Sequence, residues 1–436
     1  MDSLWKTTVQ MPSFPPLEGD ARTDVLIIGG GLAGLLCARA LQEAGIPYLL
    51  IEADRICGGV SGGTTAKITL QQGDLYHKLL RQKGEAQARL YLAATRGAMA
   101  RYRSLCREMD CDWQEEDAWL YLTQPSDLLD REEAALNRLG VATRRSRELP
   151  LPMPVADALC VSGQARFHPL RFAAELSRGL HIHENTAALA YDGTGVQTNR
   201  GHIRAETILV CTHFPIFNKH GGYFLKLYQD RSYVLALEGA PPVGGMYLDA
   251  AGGLSFREAE GRLLLGGGSH RTGKQGGGWA VLEDFARRHY PHARITHRWA
   301  TQDCMSLDGL PYIGRYSAAT GNLFVATGFN KWGMTGSMLA SMVLRDLLTG
   351  RESPVAALLD PSRSMLHPQL LVNGLESAWN LLRPTRPRCP HMGCALHWNK
   401  EEHSWDCACH GSRFDEKGRV LNNPATDNLK KPPRNR

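Results

Sequence analysis

The chain has 436 residues, of which 43% are hydrophobic and 22% charged, as in ordinary globular proteins. This composition excludes a disordered, fibrous or coiled-coil chain, and the length predicts two or three domains. Half of the net charge of +6 comes from residues 427–436, so no basic face for nucleic acid is expected.

No apolar run reaches the roughly 18 residues that a membrane span needs, and residues 1–20 contain no apolar core of the secretory kind. Seven of the eleven cysteines are scattered through the first 304 residues, as is typical of reduced, buried thiols. We therefore expect a cytoplasmic protein without a membrane span.

The first elements in the chain predict a βαβ unit with a nucleotide-binding loop. An apolar strand is predicted at 24–28, a helix at 32–44 and a second strand at 48–51. Between the first strand and the helix, Gly29, Gly31 and Gly34 fit the pattern G-x-G-x-x-G. In that order they make the turn, let the backbone approach a pyrophosphate, and allow close packing of helix and strand. Glu52, at the end of the second strand, can accept hydrogen bonds from ribose hydroxyls.

The rest of the chain predicts a mixed α/β protein with a change of character after residue 350. Strands between 187 and 266 are short and broken by turns, which favours an antiparallel sheet. Residues 351–386 contain several prolines and only a weak helical signal near 370–382, so they are predicted to be a linker. Other helices are predicted at 85–109, 127–138, 168–180 and 333–348, and strands at 194–199, 206–211, 223–237, 261–266 and 323–326.

A single glycine-rich loop near the N-terminus favours FAD over NAD(P)H as the bound dinucleotide. No second G-x-G-x-x-G unit follows a strand, so a separate NAD(P)H-binding domain is not expected. A long β-rich region and a closing α/β segment after the loop suit a bound flavin better.

Residues 22–350 resemble the D-amino-acid-oxidase-like superfamily of FAD-dependent oxidoreductases. The resemblance is carried by TDVLIIGGGLAGLLCARAL at the start, GGTTAKIT at 62–69, DGLPYIG at 308–314 and ATGFNKWGMTGS at 326–337. It implies a Rossmann-like FAD-binding domain, about 22–85, 155–215 and 300–350, with an inserted β-rich substrate domain, about 86–154 and 216–299. It also implies a set of residues beside the flavin and its pyrophosphate: Thr64, Thr65, Ala66, Lys67, Gly328, Phe329, Gly333, Met334 and Thr335.

A second candidate site is the group of four cysteines and four histidines between residues 389 and 410. The boxes C-x-H and C-x-x-H offer two thiolates and two imidazoles, for which a Cys2His2 zinc site is one alternative. A further pair of cysteines completes C-x-H-x-G-C and C-x-C-H-G-S, the pattern of Rieske proteins. His397 and His403 fall outside both boxes and are predicted to be solvated.

The resemblance to Rieske proteins implies a small β-type module at 387–427 that binds a [2Fe-2S] cluster. By this resemblance Cys389 and Cys407 ligate one iron, and His391 and His410 ligate the other. Cys394 and Cys409 would form a disulfide between the two loops, and Ser412 would donate a hydrogen bond to a cluster sulfur. Phe414 stands where high-potential relatives carry a tyrosine, so a potential low in the Rieske range is expected.

Together, the two sites predict a dehydrogenase that oxidises a small molecule, with an amine or amino acid as the first expectation. Electrons would pass through FAD and the cluster to a soluble one-electron carrier such as a ferredoxin. The alternatives are a reductase loaded through its cluster by an electron donor, and a redox-sensing module with a structural cluster. Arg231 and Arg271 are candidates for binding a substrate carboxylate, and the sequence identifies no catalytic residue.

Overall fold

The structure is a computed structural model that describes residues 2–217, 220–383 and 387–430. A 3-10 turn covers Val60–Gly63. In the described ranges, no helix is both long and apolar enough to cross a membrane. The α-helices are α1 (Leu4–Thr8), α2 (Leu32–Glu43), α3 (Leu75–Lys83), α4 (Glu85–Cys106), α5 (Leu128–Arg138), α6 (Pro169–Leu176), α7 (Tyr223–Lys226), α8 (Gly278–His289), α9 (Gly333–Leu348), α10 (Ala356–Leu359) and α11 (Pro368–Leu382).

The strands of the described ranges form three sheets. In chain order they are β1 (Ala21–Ile28), β2 (Tyr48–Ile51), β3 (Lys67–Ile68), β4 (Gln114–Leu122), β5 (Arg144–Ser146), β6 (Asp157–Arg166), β7 (Ile182–His183), β8 (Ala188–Tyr191), β9 (Gly195–Thr198), β10 (His202–Val210), β11 (Leu227–Glu238), β12 (Met246–Asp249), β13 (Ser255–Ala259), β14 (Arg262–Arg271), β15 (Arg294–Ser306), β16 (Tyr312–Ser317), β17 (Thr320–Thr327), β18 (Leu396–Asn399), β19 (Ser404–Cys407), β20 (Arg413–Asp415) and β21 (Val420–Asn422).

The first sheet contains the predicted βαβ unit, and its order is β16-β17-β10-β1-β2-β7, with β9 and β8 attached beside β10. Strands β1, β2, β7, β10 and β17 run parallel. The last four residues of β1 are all buried, as expected for a central parallel strand covered on both faces. Helices α2 and α9 pack against each other over this sheet, and their apolar side chains belong to one large core.

The prediction of one antiparallel sheet over residues 187–266 is wrong for the strand expected at 206–211. This strand is β10, which pairs in parallel with β1 and β17. Its C-terminal run, from Ile208 to Val210, is fully buried, and such a continuous apolar run favours the centre of a parallel sheet. Most of the predicted strand at 223–237 is β11, which follows the short helix α7.

The second sheet has nine strands in the order β15-β11-β14-β13-β12-β4-β6-β3, with β5 beside β6. All its pairs are antiparallel except β4 with β12. Strand β6 lies here, although residues 155–215 are expected with the nucleotide-binding part. Its ladder with β4 accounts for this placement, because it pairs both ends of β6 with one long neighbouring strand.

The third sheet is the small antiparallel module β18-β19-β20-β21 near the C-terminus. It has its own apolar core, made of Cys389, Cys394, Leu396, Cys407, Cys409, Phe414 and Ala425. The stretch expected as a linker, 351–386, contains two helices, α10 and the 15-residue α11. The predicted fold class is confirmed: an α/β protein with a β-rich second sheet and a small β module.

Candidate functional site

The loop between β1 and α2 has the close backbone packing that its glycines predict. Gly29 has φ +107°, and a Cβ there would lie 2.7 Å from the carbonyl oxygen of Cys211. A Cβ on Gly34 would lie 1.9 Å from the carbonyl oxygen of Gly29. Gly31 is the N-cap of α2, and the first turn of that helix carries no acidic residue. A helix N-terminus of this kind fits a pyrophosphate, because unpaired N–H groups and the helix dipole both favour an anion.

Glu52 lies beside this loop, directly after β2. One carboxylate oxygen accepts the N–H of Gly30 at 2.7 Å, and the other accepts the N–H of Asp54 at 3.0 Å. Burial raises the pKa of Glu52, while these two hydrogen bonds oppose the rise. The carboxylate is thus fixed next to the glycine loop, where it retains lone pairs for further donors.

The segment from Thr64 to Lys67 is held by buried side chains that the sequence did not indicate. The indole N–H of Trp5 donates to Thr64 O at 2.7 Å. The Arg257 guanidinium donates to the carbonyl oxygens of Thr65 and Ala66, at 2.6 and 2.8 Å. The hydrogen-bonding capacity of Arg257 is therefore used on the backbone of this segment.

The side chain of Lys67 is directed toward the second sheet. Its Nζ donates to Tyr247 O, on β12, at 3.0 Å. Burial, and then the nearby positive charge of Arg257, lower the pKa of Lys67 to about 7. The ammonium group is therefore easily deprotonated at neutral pH, unlike an exposed lysine.

The turn after β17 ends at the N-terminus of α9, as the glycine loop ends at that of α2. Gly328 has φ +69°. Asn330, which sequence reasoning did not single out, holds the turn through Nδ2, which donates to Gly328 O and Gly309 O at 2.9 Å. In α9, Thr335 Oγ1 donates to Thr69 O at 3.1 Å, and Met334 O accepts the hydroxyl of Tyr102 at 2.9 Å.

Phe329 and Gly333 complete the set predicted around this turn. The Phe329 ring lies over Gly336, where a Cβ would come within 2.7 Å of it. Around Gly333 the space is open, because a Cβ there would meet nothing within 4 Å. Since β1, β10 and β17 are adjacent and parallel, the glycine loop and this turn lie at the same edge of the sheet. Ligands of open α/β sheets bind at that edge.

The two Cys/His boxes form a pair of loops with the same backbone pattern, which we call the Cys389 loop (389–394) and the Cys407 loop (407–412). In each loop the first cysteine donates its N–H to the sixth residue, at 2.9 Å, and accepts the N–H of the glycine at the fifth position. Both glycines, Gly393 and Gly411, have positive φ. The two boxes are thus two copies of one turn, facing the same small core.

The four predicted ligands come together as a thiol pair and an imidazole pair. The Cys389 and Cys407 thiols lie close enough for Cys407 to raise the pKa of Cys389. The rings of His391 and His410 lie 4.9 Å apart between centroids. All four ring nitrogens are buried, and none has a hydrogen-bond partner among the described residues. Buried polar atoms without partners are rare in proteins, so these imidazoles fit the role of ligands to a metal centre.

The protonation states of His391, His410 and Cys407 also suit metal ligation. Burial, and then the proximity of His410, lower the pKa of His391 to about 4, so the ring is neutral at pH 7. Burial likewise lowers the pKa of His410. Hydrogen bonds from Cys389, Cys394 and the Cys409 thiol hold the pKa of Cys407 well below its ordinary value. Neutral imidazoles and thiolates are the forms that bind iron.

The predicted disulfide between Cys394 and Cys409 stays a prediction. Both cysteines are free thiols in the structure. Their sulfur atoms and that of Cys407 lie within 4.8 Å of one another. Ser412 is fully buried near the Cys389 thiol and opposes the rise in the pKa of that thiol, as expected for a donor to its sulfur.

His403 is exposed and pairs with Glu416, so its predicted solvation is confirmed. His397 is half-buried rather than fully solvated: its Nε2 lies 2.9 Å from Asn380 Oδ1, and burial lowers its pKa.

The module is held against the rest of the chain by the arginines predicted for a substrate carboxylate. Arg231 forms a buried ion pair with Glu402, with Nε 2.9 Å from Oε1. Arg271 donates to the carbonyl oxygens of Ala408 and Cys409, at 3.0 and 3.1 Å. Both guanidinium groups are engaged because β11 and β14 face the module. Substrate binding by either arginine is therefore not supported.

A network of amides connects the Cys407 loop to the second sheet. Gln229 Nε2 donates to His410 O at 2.7 Å, and Gln302 Nε2 donates to Gly411 O at 2.8 Å. Gln229 Oε1 lies 3.0 Å from His213 Nε2. No sequence signal marks these residues, because only the pairing of β11 with β15 brings the two glutamines together.

The 212–214 segment, which follows Cys211 at the end of β10, lies between the two candidate sites. On one side it adjoins Cys211, whose carbonyl oxygen abuts Gly29. On the other side, the ring of Phe214 lies 6.3 Å from His391 and 6.4 Å from His410. The carbonyl oxygen of His213 accepts the hydroxyl of Thr327, at the start of the turn before α9. The 212–214 segment thus adjoins the glycine loop, the turn between β17 and α9, and the rings of His391 and His410.

Comparisons with known proteins agree with both halves of this description. Residues 24–347 match the family model "FAD dependent oxidoreductase", and residues 375–433 match "Rieske [2Fe-2S] domain". The Bacillus subtilis protein YhfW, named as a Rieske 2Fe-2S iron–sulfur protein, is 33% identical over 98% of this chain and 97% of its own length.

Two other similar proteins match only the larger part of the chain. The gamma-glutamylputrescine oxidoreductase of Escherichia coli is 23% identical over 77% of this chain and 85% of its own. The crystal structure of glycine oxidase from Geobacillus kaustophilus has a TM-score of 0.68 at 20% identity, covering 79% of this chain and 100% of that one. At this identity, the structural likeness shows the fold.

Proposed function

The chain belongs to the FAD dependent oxidoreductase family and carries a Rieske [2Fe-2S] domain, and from this premise we propose that it is a dehydrogenase of amines or amino acids. The electrons would leave through the cluster, one at a time, to a carrier protein such as a ferredoxin. When bound, FAD supplies two-electron oxidation of a substrate, and the cluster supplies one-electron transfer.

The observation that carries the proposal is the position of the 212–214 segment. Its neighbours on one side are the glycine loop and the turn before α9, which we propose hold FAD. Its neighbours on the other side are the rings of His391 and His410, which we propose hold one iron. A substrate-oxidising centre and a one-electron centre would therefore be separated only by the short 212–214 segment.

The residues of the chain would perform separate tasks at the two centres. The N–H groups at the starts of α2 and α9 would bind the pyrophosphate and the negative side of the flavin ring. Cys389 and Cys407 would ligate the second iron. Gln229 donates to His410 O and Gln302 donates to Gly411 O, and these hydrogen bonds hold the Cys407 loop against the second sheet.

Support for the substrate class comes from the relatives, whose names specify gamma-glutamylputrescine and glycine as substrates. Support for a cytoplasmic location comes from the seven cysteines outside the module, which are all buried free thiols. No catalytic base is assigned, and oxidation of an amine through its deprotonated form does not require one.

Anaerobic stopped-flow spectroscopy of the purified holoprotein tests the direction of electron flow. With a panel of amines and amino acids, we expect one of them to bleach the flavin absorbance rapidly and the cluster absorbance to change in a later phase. If only a reduced ferredoxin changes the cluster first and the flavin second, the protein is a reductase. Inertness of both centres toward every donor would leave a redox-sensing role.

Replacing one proposed ligand tests the assignment of the iron site. The variant His391→Ala should lose the Rieske EPR signal and most of its iron and sulfide while retaining FAD. The matched control is His403→Ala, which removes an exposed histidine of the same module. Zinc in place of iron in the wild-type protein, or an unchanged EPR signal in His391→Ala, would contradict the assignment.

A further inference from the structure

The helix α11, which packs beside the Cys389 loop, has its apolar side turned outward. Its two fully buried residues are asparagines, Asn373 and Asn380. A helix on the surface of a globular protein normally has the opposite arrangement. Every residue of α11 that is exposed is apolar: Pro368, Leu371, Val372, Leu375, Ala378, Trp379, Leu381 and Leu382.

This orientation is fixed by polar contacts on the inner side of the helix. Asn373 Oδ1 accepts a hydrogen bond from Arg271 Nη1 at 3.0 Å. Glu376 pairs with Lys274 at 2.6 Å. Further along, Asn380 Oδ1 lies 2.9 Å from the His397 ring. Rotating the helix to bury its leucines would break all of these contacts, so the outward apolar side is a stable feature.

The outer side is a continuous apolar stripe, which we call the α11 face: Leu371, Leu375, Trp379 and Leu382. These residues are spaced by four, four and three positions, so they lie along one side of the helix. Their exposed fractions are 71%, 72%, 62% and 82%. Single exposed leucines are common on proteins, whereas a stripe of this kind marks an interaction surface.

Positive charge adjoins the C-terminal end of the α11 face. Arg383 lies over the ring of Trp379, with Cζ 5.6 Å from its centroid, and Arg388, five positions further along the chain, is exposed. Among the described residues, neither Arg383 nor Arg388 forms an ion pair with a carboxylate. The one acidic residue of α11 is Glu376, and Lys274 neutralises it on the inner side.

We infer that the α11 face, with Arg383 and Arg388, binds this protein to the surface of an anionic lipid bilayer. The helix would lie in the plane of the interface. Helices that bind membranes in this way combine an apolar side containing leucine and tryptophan with arginines that attract anionic headgroups. The helix has 15 residues, about 22 Å, which is too short to span a bilayer.

A protein surface is a poorer match to the α11 face than a bilayer. Protein interfaces carry about one hydrogen bond per 100–200 Å² and a polar rim around an apolar centre. On the α11 face, the Trp379 indole is the only side chain with a hydrogen-bonding group. A lipid interface requires no such bonds from the apolar side.

Binding of the α11 face to a bilayer would bring the Cys389 loop close to the lipid surface. Arg388 connects the two, because its Nη1 donates to Leu381 O at 3.1 Å and to Gly393 O at 3.0 Å. Met392, in the same loop, is exposed. This inference does not depend on the proposed substrate or on the direction of electron flow.

Vesicle flotation of the full-length holoprotein tests the inference. We expect the wild-type protein to float with vesicles of phosphatidylcholine and phosphatidylglycerol, and to bind vesicles of phosphatidylcholine alone more weakly. The variant Leu371→Glu/Leu375→Glu should bind more than tenfold more weakly, and Arg383→Gln about fivefold more weakly on anionic vesicles only. The matched control is Val281→Glu, an exposed apolar residue on α8, which should bind like the wild type.

Equal melting temperatures and flavin contents would show that the variants are folded. Absence of binding to any vesicle, or equal binding by wild type and Leu371→Glu/Leu375→Glu, would overturn the inference. Light scattering on the same samples tests whether a second copy of the chain covers the α11 face instead. A wild-type protein that is dimeric and binds no vesicles, with a monomeric double variant, would show this and overturn the inference.

Discussion

Ser412 is fully buried in the Cys407 loop, where its hydroxyl oxygen accepts the N–H of Ala425 at 3.0 Å and contacts the Cys389 thiol. A hydroxyl that donates to a ligand sulfur favours the reduced, more negative cluster. We expect Ser412→Ala to lower the reduction potential by about 40 mV, taking about 1 kcal/mol for the hydrogen bond and 59 mV per tenfold change. Protein-film voltammetry or an EPR-monitored redox titration measures the change.

The control for this experiment is Ser364→Ala, at an exposed serine outside the module. Its potential should equal that of the wild type, and both variants should contain full iron. An unchanged or higher potential in Ser412→Ala would mean that the hydroxyl serves only the backbone at Ala425.

At the level of single residues, the sequence predicted groups whose chemistry is local. The Cys/His boxes specify their own turns, because each turn is built within six consecutive residues. The role of Arg231 could not be predicted, since it depends on Glu402, 171 positions away. A buried cation and a substrate-binding cation look the same in a sequence.

Among the elements, α6 is capped by a titratable residue. His168 Nδ1 accepts the N–H of Arg171 at 3.1 Å, so the proton is on Nε2, which lies 2.9 Å from Thr8 Oγ1 in α1. Burial, and then the charge of Arg171, lower the pKa of His168 to about 4. Because the pKa in the folded state is below the unfolded value of about 6.5, this contribution to stability is present above pH 6.5 and is lost as the pH falls toward 4.

The variant His168→Asn isolates this effect, because asparagine is a good N-cap and does not titrate. Its melting temperature should be lower than that of the wild type at pH 7.5, since the ring also packs on Trp5 with centroids 4.9 Å apart. The difference between the two proteins in the free energy of unfolding should shrink between pH 6.5 and 4, by up to about 3 kcal/mol at about 1.4 kcal/mol per pKa unit. A difference that stays constant with pH would show that the imidazole does not titrate in this range.

Elements with strong local signals were predicted and those with divided signals were not. Helix α2 lies between two glycines and strand β2 is an apolar run between Pro47 and Glu52, and the structure has both within one residue of the predicted ends. Helix α11 was expected as part of a linker, because its apolar residues have no interior to face and its buried positions are asparagines. Strand β10 has the composition of either sheet, and only its pairing with β1 decides between them.

For the whole molecule, the arrangement of the module against the second sheet depends on one buried ionic group. Glu402 forms ion pairs with Arg231 of β11 and with Arg413 of β20, whose Nη2 lies 2.9 Å from Glu402 Oε2. Burial alone would raise the pKa of Glu402, but the two guanidinium charges lower it. All three side chains are less than 10% exposed. Removing one member of such a group leaves an uncompensated buried charge, at a cost of about 3–5 kcal/mol.

We therefore expect Glu402→Gln to loosen the module while leaving both cofactor sites intact. Iron, sulfide and flavin contents should match those of the wild type, and substrate should bleach the flavin at the wild-type rate. The later cluster phase in stopped-flow should slow, because the 212–214 segment would no longer be held against the two rings. Amide hydrogen exchange should increase at β18 to β21 and on the facing strand β11.

Glu416→Gln is the matched control, because Glu416 lies in the same module but forms an exposed pair with His403. It should change neither the exchange rates nor the cluster phase. If Glu402→Gln slows flavin bleaching and the cluster phase together, the ionic group supports the substrate site rather than the contact between the two centres. If it changes neither, the amide network of Gln229 and Gln302 is sufficient to hold the module, since those bonds to His410 O and Gly411 O do not involve Glu402.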